Sequence, residues 1–158
     1  MKLITTEVTN AKLKTEEMIS KRDGYFKRNH SLERVLGSKS AIGEFAEFML
    51  DEMVQDCKPR TSSNHDRILP LYGKTECKGA KQINNKVAMF NQIYPDKDWA
   101  SLVLTLVHED KIEAWIAKDK EKLLQWEHLG HNNGRCFNKQ FKLVRESDLF
   151  ELLYEGTY

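Results

Sequence analysis

The clearest periodic pattern in the chain is an apolar stripe at helical spacing that begins just after residue 40. The opposite face of this segment is acidic, so the pattern predicts one amphipathic helix with its apolar side on a core. Ser40, which follows the break at Gly37, is a plausible N-cap. The apolar positions are Ile42, Phe45, Ala46, Met49, Leu50 and Met53, and the acidic ones are Glu44, Glu47, Asp51 and Glu52.

Strand patterns fill the middle of the chain. Residues 66–71 and 74–79 predict two strands separated by a turn, while residues 86–94 are ambiguous. Residues 99–107 form a nearly continuous apolar run rich in β-branched side chains, which predicts a strand buried on both faces. A turn then leads to residues 112–117, the expected antiparallel neighbour of that strand.

Helical patterns lie on both sides of these strands. Residues 10–36 predict one or two short helices, residues 118–129 another, and residues 147–155 a short amphipathic C-terminal helix. Residues 130–137 are typical of a polar loop. This order of helices, strands and helices predicts an α/β (α+β) sandwich in which helices flank a central mixed β-sheet.

The length and composition are those of one folded domain. The chain has 158 residues, of which 40% are hydrophobic and 31% charged, and it contains no repeat and no Gly/Ser linker. We therefore expect a single domain over residues 1–158. It would comprise an N-terminal helical extension (1–36), a core (37–135) and a C-terminal segment with a short helix (136–158).

The expected compartment is the cytoplasm. The first residues contain no apolar core of signal-peptide length, and the longest apolar run, Leu102–Val107, is far too short to cross a bilayer. The three cysteines form no CxxC pair, as is usual in a reducing compartment. We expect no membrane partner.

The formal net charge is only +1, which excludes a strongly basic nucleic-acid tail and an acidic solvating domain. The charges nevertheless alternate in blocks along the chain. Residues 41–57 contain acidic residues and no basic ones, whereas residues 1–40 and 58–86 are rich in Lys and Arg. Whether these blocks meet in space decides what the protein can bind.

The segment Lys74–Gly79 carries charged side chains inside a predicted strand. Because side chains alternate along a strand, Glu76 and Lys78 share one face and Cys77 takes the other. A carboxylate can hold a hard divalent cation through oxygen. A neighbouring ammonium can orient or activate water, or neutralise charge that develops on phosphorus.

The register of the hairpin decides whether Asp66 joins this face. A two-residue turn would point Asp66 away from Glu76, whereas a three-residue loop that ends at Gly73 sets Asp66 opposite Lys78. The third loop position favours a left-handed residue, which Gly73 supplies. We therefore predict that Asp66, Glu76 and Lys78 lie on one face of the sheet.

The order of Asp66, nine intervening residues and Glu76-Cys77-Lys78 resembles the D…(D/E)xK signature of the restriction-endonuclease-like PD-(D/E)xK nuclease superfamily. Ile42-Gly43-Glu44 resembles the helix that supplies an auxiliary acidic residue in this superfamily. One departure is His65, which stands before Asp66 where many members have proline. That position is not a ligand in the superfamily, so the match is only slightly weakened.

Further residues resemble small type II restriction endonucleases and their phage relatives. In those proteins an F-x-Q-I-x-P stretch precedes a hydrophobic strand, a turn and an x-A-W-x strand. Residues 90–95 (FNQIYP) and the predicted strands at 99–107 and 112–117 follow that order. The similarity covers about residues 37–135.

The resemblance implies Mg²⁺-dependent hydrolysis of DNA phosphodiester bonds, with Mn²⁺ able to substitute. Asp66, Glu76 and the backbone carbonyl of Cys77 would hold the metal, and Lys78 would position the attacking water. Two further acids are candidates for the metal or its water shell, and one amide is a candidate for a phosphate or a water. The two acids are Glu44, which is preferred, and Glu47, and the amide is Gln92.

Each of these residues also has a purely structural interpretation. The charged residues of the predicted strand could form an ordinary surface ion pair, which contributes little to stability. Glu44 and Glu47 could be acidic residues near a helix N-terminus, where the helix dipole favours them. Gln92 could be a polar residue on a half-exposed strand.

Basic and amide side chains are candidates for DNA contacts. Lys58, Arg60, Lys81 and Lys86 flank the proposed site and could neutralise phosphates. The loop over residues 128–136 could be a plain turn, a zinc or HNH-type site, or a DNA-contacting loop. Two histidines and one cysteine fall short of four zinc ligands. The loop's candidates for DNA contact are His131, Asn132, Asn133 and Arg135.

The first functional hypothesis is a restriction-type endonuclease that cuts double-stranded DNA as a homodimer in a bacterial or phage-infected cell. The second is a structure-selective phage or repair nuclease, such as a junction resolvase or a nicking enzyme. The third is a non-catalytic DNA-binding module with the same fold. The expected dimer surfaces are the N-terminal helices and the C-terminal helix with Leu149, Phe150, Leu152 and Leu153.

Overall fold

The computed structural model describes residues 36–82, 86–131 and 134–157, so the helices expected over residues 10–36 lie almost entirely outside the described residues. Eight strands and three helices occur in these ranges, and the fold is mixed α+β with a core made mostly of sheet. No helix in the described ranges is long and apolar enough to cross a membrane. In chain order the elements are α1 (Lys39–Met53), β1 (Lys58–Pro59), β2 (Arg67–Leu69), β3 (Gly73–Lys81), β4 (Val87–Ile93), β5 (Ser101–Val107), β6 (Lys111–Ala117), α2 (Lys120–Leu124), β7 (Arg135–Gln140), α3 (Lys142–Arg145) and β8 (Phe150–Thr157).

Six strands form a mixed sheet in the order β1-β2-β3-β5-β6-β8. Strands β3 and β5 run parallel, and every other neighbouring pair is antiparallel. The central strand β5 is buried at all seven positions, which confirms the strand predicted for residues 99–107. The antiparallel neighbour predicted for residues 112–117 is also confirmed, as β6.

The two faces of the sheet are covered differently. The apolar stripe of α1 packs on one face, where it meets Cys77, Val103 and Ile116. On the other face a two-stranded antiparallel sheet of β4 and β7 covers a second cluster, together with the short helices α2 and α3. The expectation of a mixed sheet is therefore confirmed, but helices alone do not flank it.

Helix α1 forms where the apolar stripe predicted it, and it lies very close to β3. Its N-cap is Ser38, whose side chain accepts from the Ala41 N–H, so the choice of Ser40 was two residues too late. A Cβ atom on Gly79 of β3 would lie only 2.9 Å from the Ile42 carbonyl oxygen. The absence of a side chain at Gly79 therefore allows the helix to rest directly on the strand.

The hairpin register differs from the prediction by two residues. Leu69 pairs with Gly73 and Arg67 with Thr75, so the loop is Pro70–Tyr72 and Asp66 does not lie opposite Lys78. Proline has no N–H for a ladder but suits a turn, and here the Tyr72 N–H donates to the Leu69 carbonyl across it. A shift of two residues preserves the face of every side chain.

The C-terminal helix predicted for residues 147–155 is wrong, because β8 occupies residues 150–157. A bulge opposite Ala114 and Trp115 places one extra residue in β8. Phe150, Leu153 and Tyr154 are buried as a result, and this three-and-four spacing imitates a helical stripe. The expected dimer helix is therefore absent, and two of its proposed surface residues belong to the core.

Two further boundaries change. The helix predicted for residues 118–129 is shortened to α2, whose N-cap Asp119 accepts from the Lys122 N–H. The polar loop predicted for residues 130–137 already contains the first residues of β7, where Phe137 is fully buried. The ambiguous segment 86–94 contains β4. The single helical turn of the C-terminal segment is α3.

Candidate functional site

The candidate site forms where the start of β2 meets the middle of β3. Asp66 lies one residue before β2, and its N–H donates to the Thr75 carbonyl at 2.9 Å. Its carboxylate Oδ2 accepts a hydrogen bond from the Cys77 N–H at 2.8 Å. These two bonds hold the carboxylate against β3, within hydrogen-bonding reach of Glu76.

Glu76 is almost completely buried, with 5% of its surface exposed. Burial, a hydrogen bond to Asp66 and the charge of Asp66 raise the pKa of Glu76 to about 8, although Lys78 opposes the change. The Lys78 Nζ lies 3.5 Å from the Glu76 Oε2 and is partly exposed. The structure therefore brings Asp66, Glu76 and Lys78 together.

Glu47 of α1 is the third acid of this cluster. Burial, together with the charge of Asp66, raises the pKa of Glu47 to about 7, and its carboxyl also hydrogen-bonds to Asp66. Glu44, the acid preferred from the sequence, is exposed. At helical spacing Glu47 lies at the border of the buried stripe, whereas Glu44 lies opposite it, and this difference in rotation explains why Glu47 reaches the sheet.

At neutral pH the protons of this cluster lie on Glu76, whose pKa is about 8, and in part on Glu47, whose pKa is about 7. Burial alone would raise the pKa of Asp66, but hydrogen bonds from Glu76, the Cys77 N–H and Glu47 lower it below its usual value. Asp66 is therefore the charged member, and the two glutamic acids donate to it while protonated. Carboxyl groups this close cannot all ionise without a compensating cation.

Arg67 joins α1 to β2 beside this cluster. Its Nε and Nη2 donate to the two carboxylate oxygens of Asp51, at 2.7 and 3.0 Å, and its Nη1 donates to the Asp66 carbonyl at 2.7 Å. The Cys57 thiol also donates to Asp51, at 3.4 Å. A bidentate guanidinium–carboxylate pair fixes direction as well as distance. Arg67 thus holds the backbone of Asp66 against the helix that carries Glu47.

The donors of the cluster fit a hard divalent cation, because all of them are oxygens. Among the described residues, no three His, Cys, Asp or Glu side chains are already arranged as a metal-holding group. Asp66 and Glu76 would therefore supply two carboxylates, with a backbone carbonyl and water completing the set, as Mg²⁺ commonly accepts. Protonation of Glu47 and Glu76 lowers the negative charge of the cluster, and a bound cation would offset the same charge if both acids were ionised.

Two other predicted residues have different surroundings. The Cys77 side chain is buried in the core beneath α1, where burial raises the pKa of its thiol, so only its backbone is available to the site. The role of its carbonyl as a ligand stays a prediction. Gln92 is exposed in the bulge of β4, at a left-handed φ of 59°, and forms no hydrogen bond with Asp66, Glu76 or Lys78.

The residues predicted to contact DNA are spread over the surface. Lys58 and Arg60 are exposed on and after the edge strand β1, on the side of the sheet where β2 begins. Lys81 is exposed at the far end of β3, Lys86 is exposed directly before β4, and His131 is exposed before β7. Arg135 is half-buried and donates to the Leu124 carbonyl, while Asn132 and Asn133 lie outside the described residues.

A second buried acid escaped the sequence analysis. Glu113 of β6 is only 4% exposed and accepts from His108, Trp115 and Arg145. Burial opposes ionisation, but these hydrogen bonds outweigh it and hold the pKa of Glu113 well below its usual range. A glutamate inside a predicted strand between apolar neighbours was the available signal, since such a charge needs partners.

Comparison with protein-family models gave no match to this chain, and comparison with curated proteins gave no significantly similar sequence.

Proposed function

We propose that this protein is a Mg²⁺-dependent endonuclease that hydrolyses phosphodiester bonds of double-stranded DNA, of the restriction type and with the restriction-endonuclease-like sandwich fold. The observation that carries the proposal is the meeting of Asp66, Glu76 and Lys78 beside Glu47 at one place on β3. Ordinary surface ion pairs do not bury a carboxyl group to 5% exposure beside two other acids. This concentration of perturbed acids supports a functional site.

Asp66 and Glu76 would hold Mg²⁺ through their carboxylates, and the Cys77 carbonyl would contribute a further oxygen. When bound, Mg²⁺ supplies positive charge for the phosphate and makes water a better nucleophile at neutral pH. The Cys77 N–H keeps the Asp66 carboxylate in place for this role. The Arg67 bonds to Asp51 and to the Asp66 carbonyl hold the same strand.

Lys78 would act on the phosphate and the water. Its ammonium is partly exposed, so it can reach a bound phosphodiester while it remains near Glu76. There it would orient the attacking water and stabilise negative charge that develops on the phosphate oxygens. Glu47, with a pKa near 7, is suited to take up or release a proton close to neutral pH.

Cleavage of plasmid and phage DNA tests the proposal. Wild-type protein is incubated with Mg²⁺ and with EDTA, beside Lys78→Met and Glu76→Gln. Lys74→Met is the matched control, because Lys74 shares the strand and face of Lys78 but pairs with Asp98. We expect discrete bands that vanish in EDTA and weaken at least about a hundredfold in Lys78→Met, while Lys74→Met cuts normally.

The other outcomes separate the alternatives. Cleavage of branched substrates only, or of duplex DNA without sequence preference, would replace restriction with a structure-selective nuclease. DNA binding without any metal-dependent cleavage would indicate a non-catalytic module. A symmetric cut by a homodimer would appear as second-order dependence of the rate on protein concentration at low concentration.

A further inference from the structure

A second polar site lies beyond the C-terminal end of β3, away from the acidic cluster that Asp66, Glu76 and Glu47 form near the middle of the strand. A cavity of about 470 Å³ opens there, beside Gln82, Lys86 and helix α3. We call it the basic cavity, and its lining contains three cationic side chains, two amides and one aromatic ring. The lining residues are Gln82, Lys86, Gln140, Phe141, Lys142 and Arg145.

Among the residues that the structure describes, no acidic side chain lines the basic cavity. Lys86 and Lys142 are exposed, and neither forms an ion pair with any described residue. The residues between Gln82 and Lys86 are Ile83-Asn84-Asn85, which carry no carboxyl group. Lys86 also adopts a left-handed backbone, with φ of 62°, a strained conformation for a side chain of this kind. The cavity therefore carries unpaired positive charge.

The guanidinium of Arg145 is held in position by two neighbours, Glu113 and Phe141. Its Nε and Nη2 donate to the buried Glu113 carboxylate at 2.8 and 2.9 Å, and the Phe141 ring lies 5.1 Å from its Cζ. These contacts leave Nη1 without a hydrogen bond to any described residue. Glu113 thus neutralises one charge but orients a planar donor, as is usual where arginine recognises phosphate.

We propose that the basic cavity binds a phosphate group of the DNA backbone, away from the acidic cluster. Gln82 lies six positions after Glu76 along extended backbone, which corresponds to about 20 Å, or about six nucleotides of one DNA strand. Lys86 and Lys142 would neutralise the phosphate, while Arg145 and the two amides would donate hydrogen bonds to its oxygens. The proposal rests on the proposed function for its ligand, DNA, but requires no cleavage.

Binding in EDTA tests this site separately from catalysis. The affinity for a short fluorescein-labelled DNA duplex is measured by anisotropy over a series of NaCl concentrations. The double variant Lys86→Gln/Lys142→Gln is compared with Lys111→Gln/Lys122→Gln, which removes two exposed lysines that do not line the cavity. Arg145 is left intact because it supports Glu113 in the core. The urea midpoints of both variants should match that of the wild type.

Each lost phosphate contact should weaken binding about tenfold at ~0.1 M salt and lower the slope of log K against log[salt] by about 0.9. Because the two lysines neutralise one phosphate, we expect the cavity variant to lose about tenfold in affinity and about 0.9 in slope, uniformly across DNA sequences. Equal affinities and slopes for the two double variants would overturn the proposal. If the cavity variant then still cleaves DNA in Mg²⁺, the failure concerns the basic cavity alone and the proposed function stands.

Inorganic phosphate separates a DNA site from a site for a free anion. Thermal shifts are compared in phosphate and in NaCl of equal ionic strength for the wild type and the cavity variant. Stabilisation of the wild type by phosphate, combined with no measurable binding of DNA, would overturn the proposal and assign the cavity to a small anion. Phosphate stabilisation that is lost in the cavity variant, together with the loss in DNA affinity, supports it.

Discussion

Replacing Glu76 with glutamine should change how the stability of this protein depends on pH. The pKa of Glu76 is about 8 in the folded protein, against an ordinary value of 4.5. Between these values the unfolded chain loses the proton while the folded chain keeps it, so the folded state binds more protons. The free energy of unfolding therefore falls as pH rises from about 4.5 to about 8.

The size of this fall follows from the pKa difference. One unit corresponds to about 1.36 kcal/mol, so Glu76 contributes a loss on the order of 5 kcal/mol across the window. Glu47 acts in the same direction, because its pKa is also raised. Asp66 has a lowered pKa, and its contribution is lost only as pH falls through the acid range below 4. A loss of this size is a large part of the 5–15 kcal/mol typical of a whole domain.

Glutamine imitates the protonated carboxyl group of Glu76, since its amide is neutral and can still donate to Asp66. The attraction of Lys78 acts on the ionised form of Glu76 and is already included in its pKa, so its loss in the neutral variant adds no further pH dependence. We expect Glu76→Gln to keep only the smaller fall that Glu47 causes, and to be more stable than the wild type at pH values above about 8.

The assay is urea unfolding, followed by tryptophan fluorescence in EDTA, at intervals from about pH 5 to about pH 9. The control is Glu127→Gln, which removes a carboxylate that is 84% exposed and should follow the wild-type curve. Parallel curves for the wild type and Glu76→Gln would refute the reasoning. A wild-type stability that rises over this range would refute the sign as well.

Three further substitutions test the fold. Gly79→Ala in β3 should cost about 1–3 kcal/mol in urea unfolding, because its Cβ would meet the backbone of Ile42 in α1. The control is Gly43→Ala in α1, where the added Cβ has open space and should not destabilise the protein. Leu71→Asn should stabilise the protein by about 1 kcal/mol and so raise its melting temperature, because Leu71 is 64% exposed at a left-handed φ of 69° that asparagine adopts more readily. A lower melting temperature would contradict this. Glu113→Ala should lose about 3–5 kcal/mol, and a loss below about 1 kcal/mol would show that its hydrogen-bond network contributes little.

The elements that could be predicted were those whose pattern is long and local. The stripe of α1 spans four turns, and the apolar run of β5 admits no polar face, so both were placed nearly to the residue. The β2–β3 hairpin was less predictable because one choice, whether Pro70 belongs to the strand or the turn, moves the register by two residues. The missing ladder donor of proline decided it.

Strand β8 shows how a bulge can mislead. An extra residue opposite Ala114 and Trp115 changes the alternation of buried positions into a three-and-four spacing. Periodicity alone cannot separate this from a short helix, because a bulge depends on the partner strand. The helical dimer surface predicted for these residues is therefore wrong for the same reason.

The candidate site was predictable to the extent that it is local. Asp66 and Glu76 are close in sequence and lie on adjacent strands, so their spacing was informative. The choice between Glu44 and Glu47 depends on how α1 is rotated over the sheet, where the Ile42 carbonyl lies close to Gly79. The basic cavity joins side chains far apart in the chain, and no spacing rule would have grouped them.

The contact between α1 and β3 at Gly79 has a consequence for the chemistry of the acids. Gly79 has no side chain, so the backbone of α1 approaches β3 more closely there than any larger residue would allow. Glu47 belongs to the same helix and interacts with Asp66, so a displacement of the helix would change the distance between these two acids. A larger residue at position 79 should therefore change the pKa of Glu47 through the position of the helix, without adding any charge.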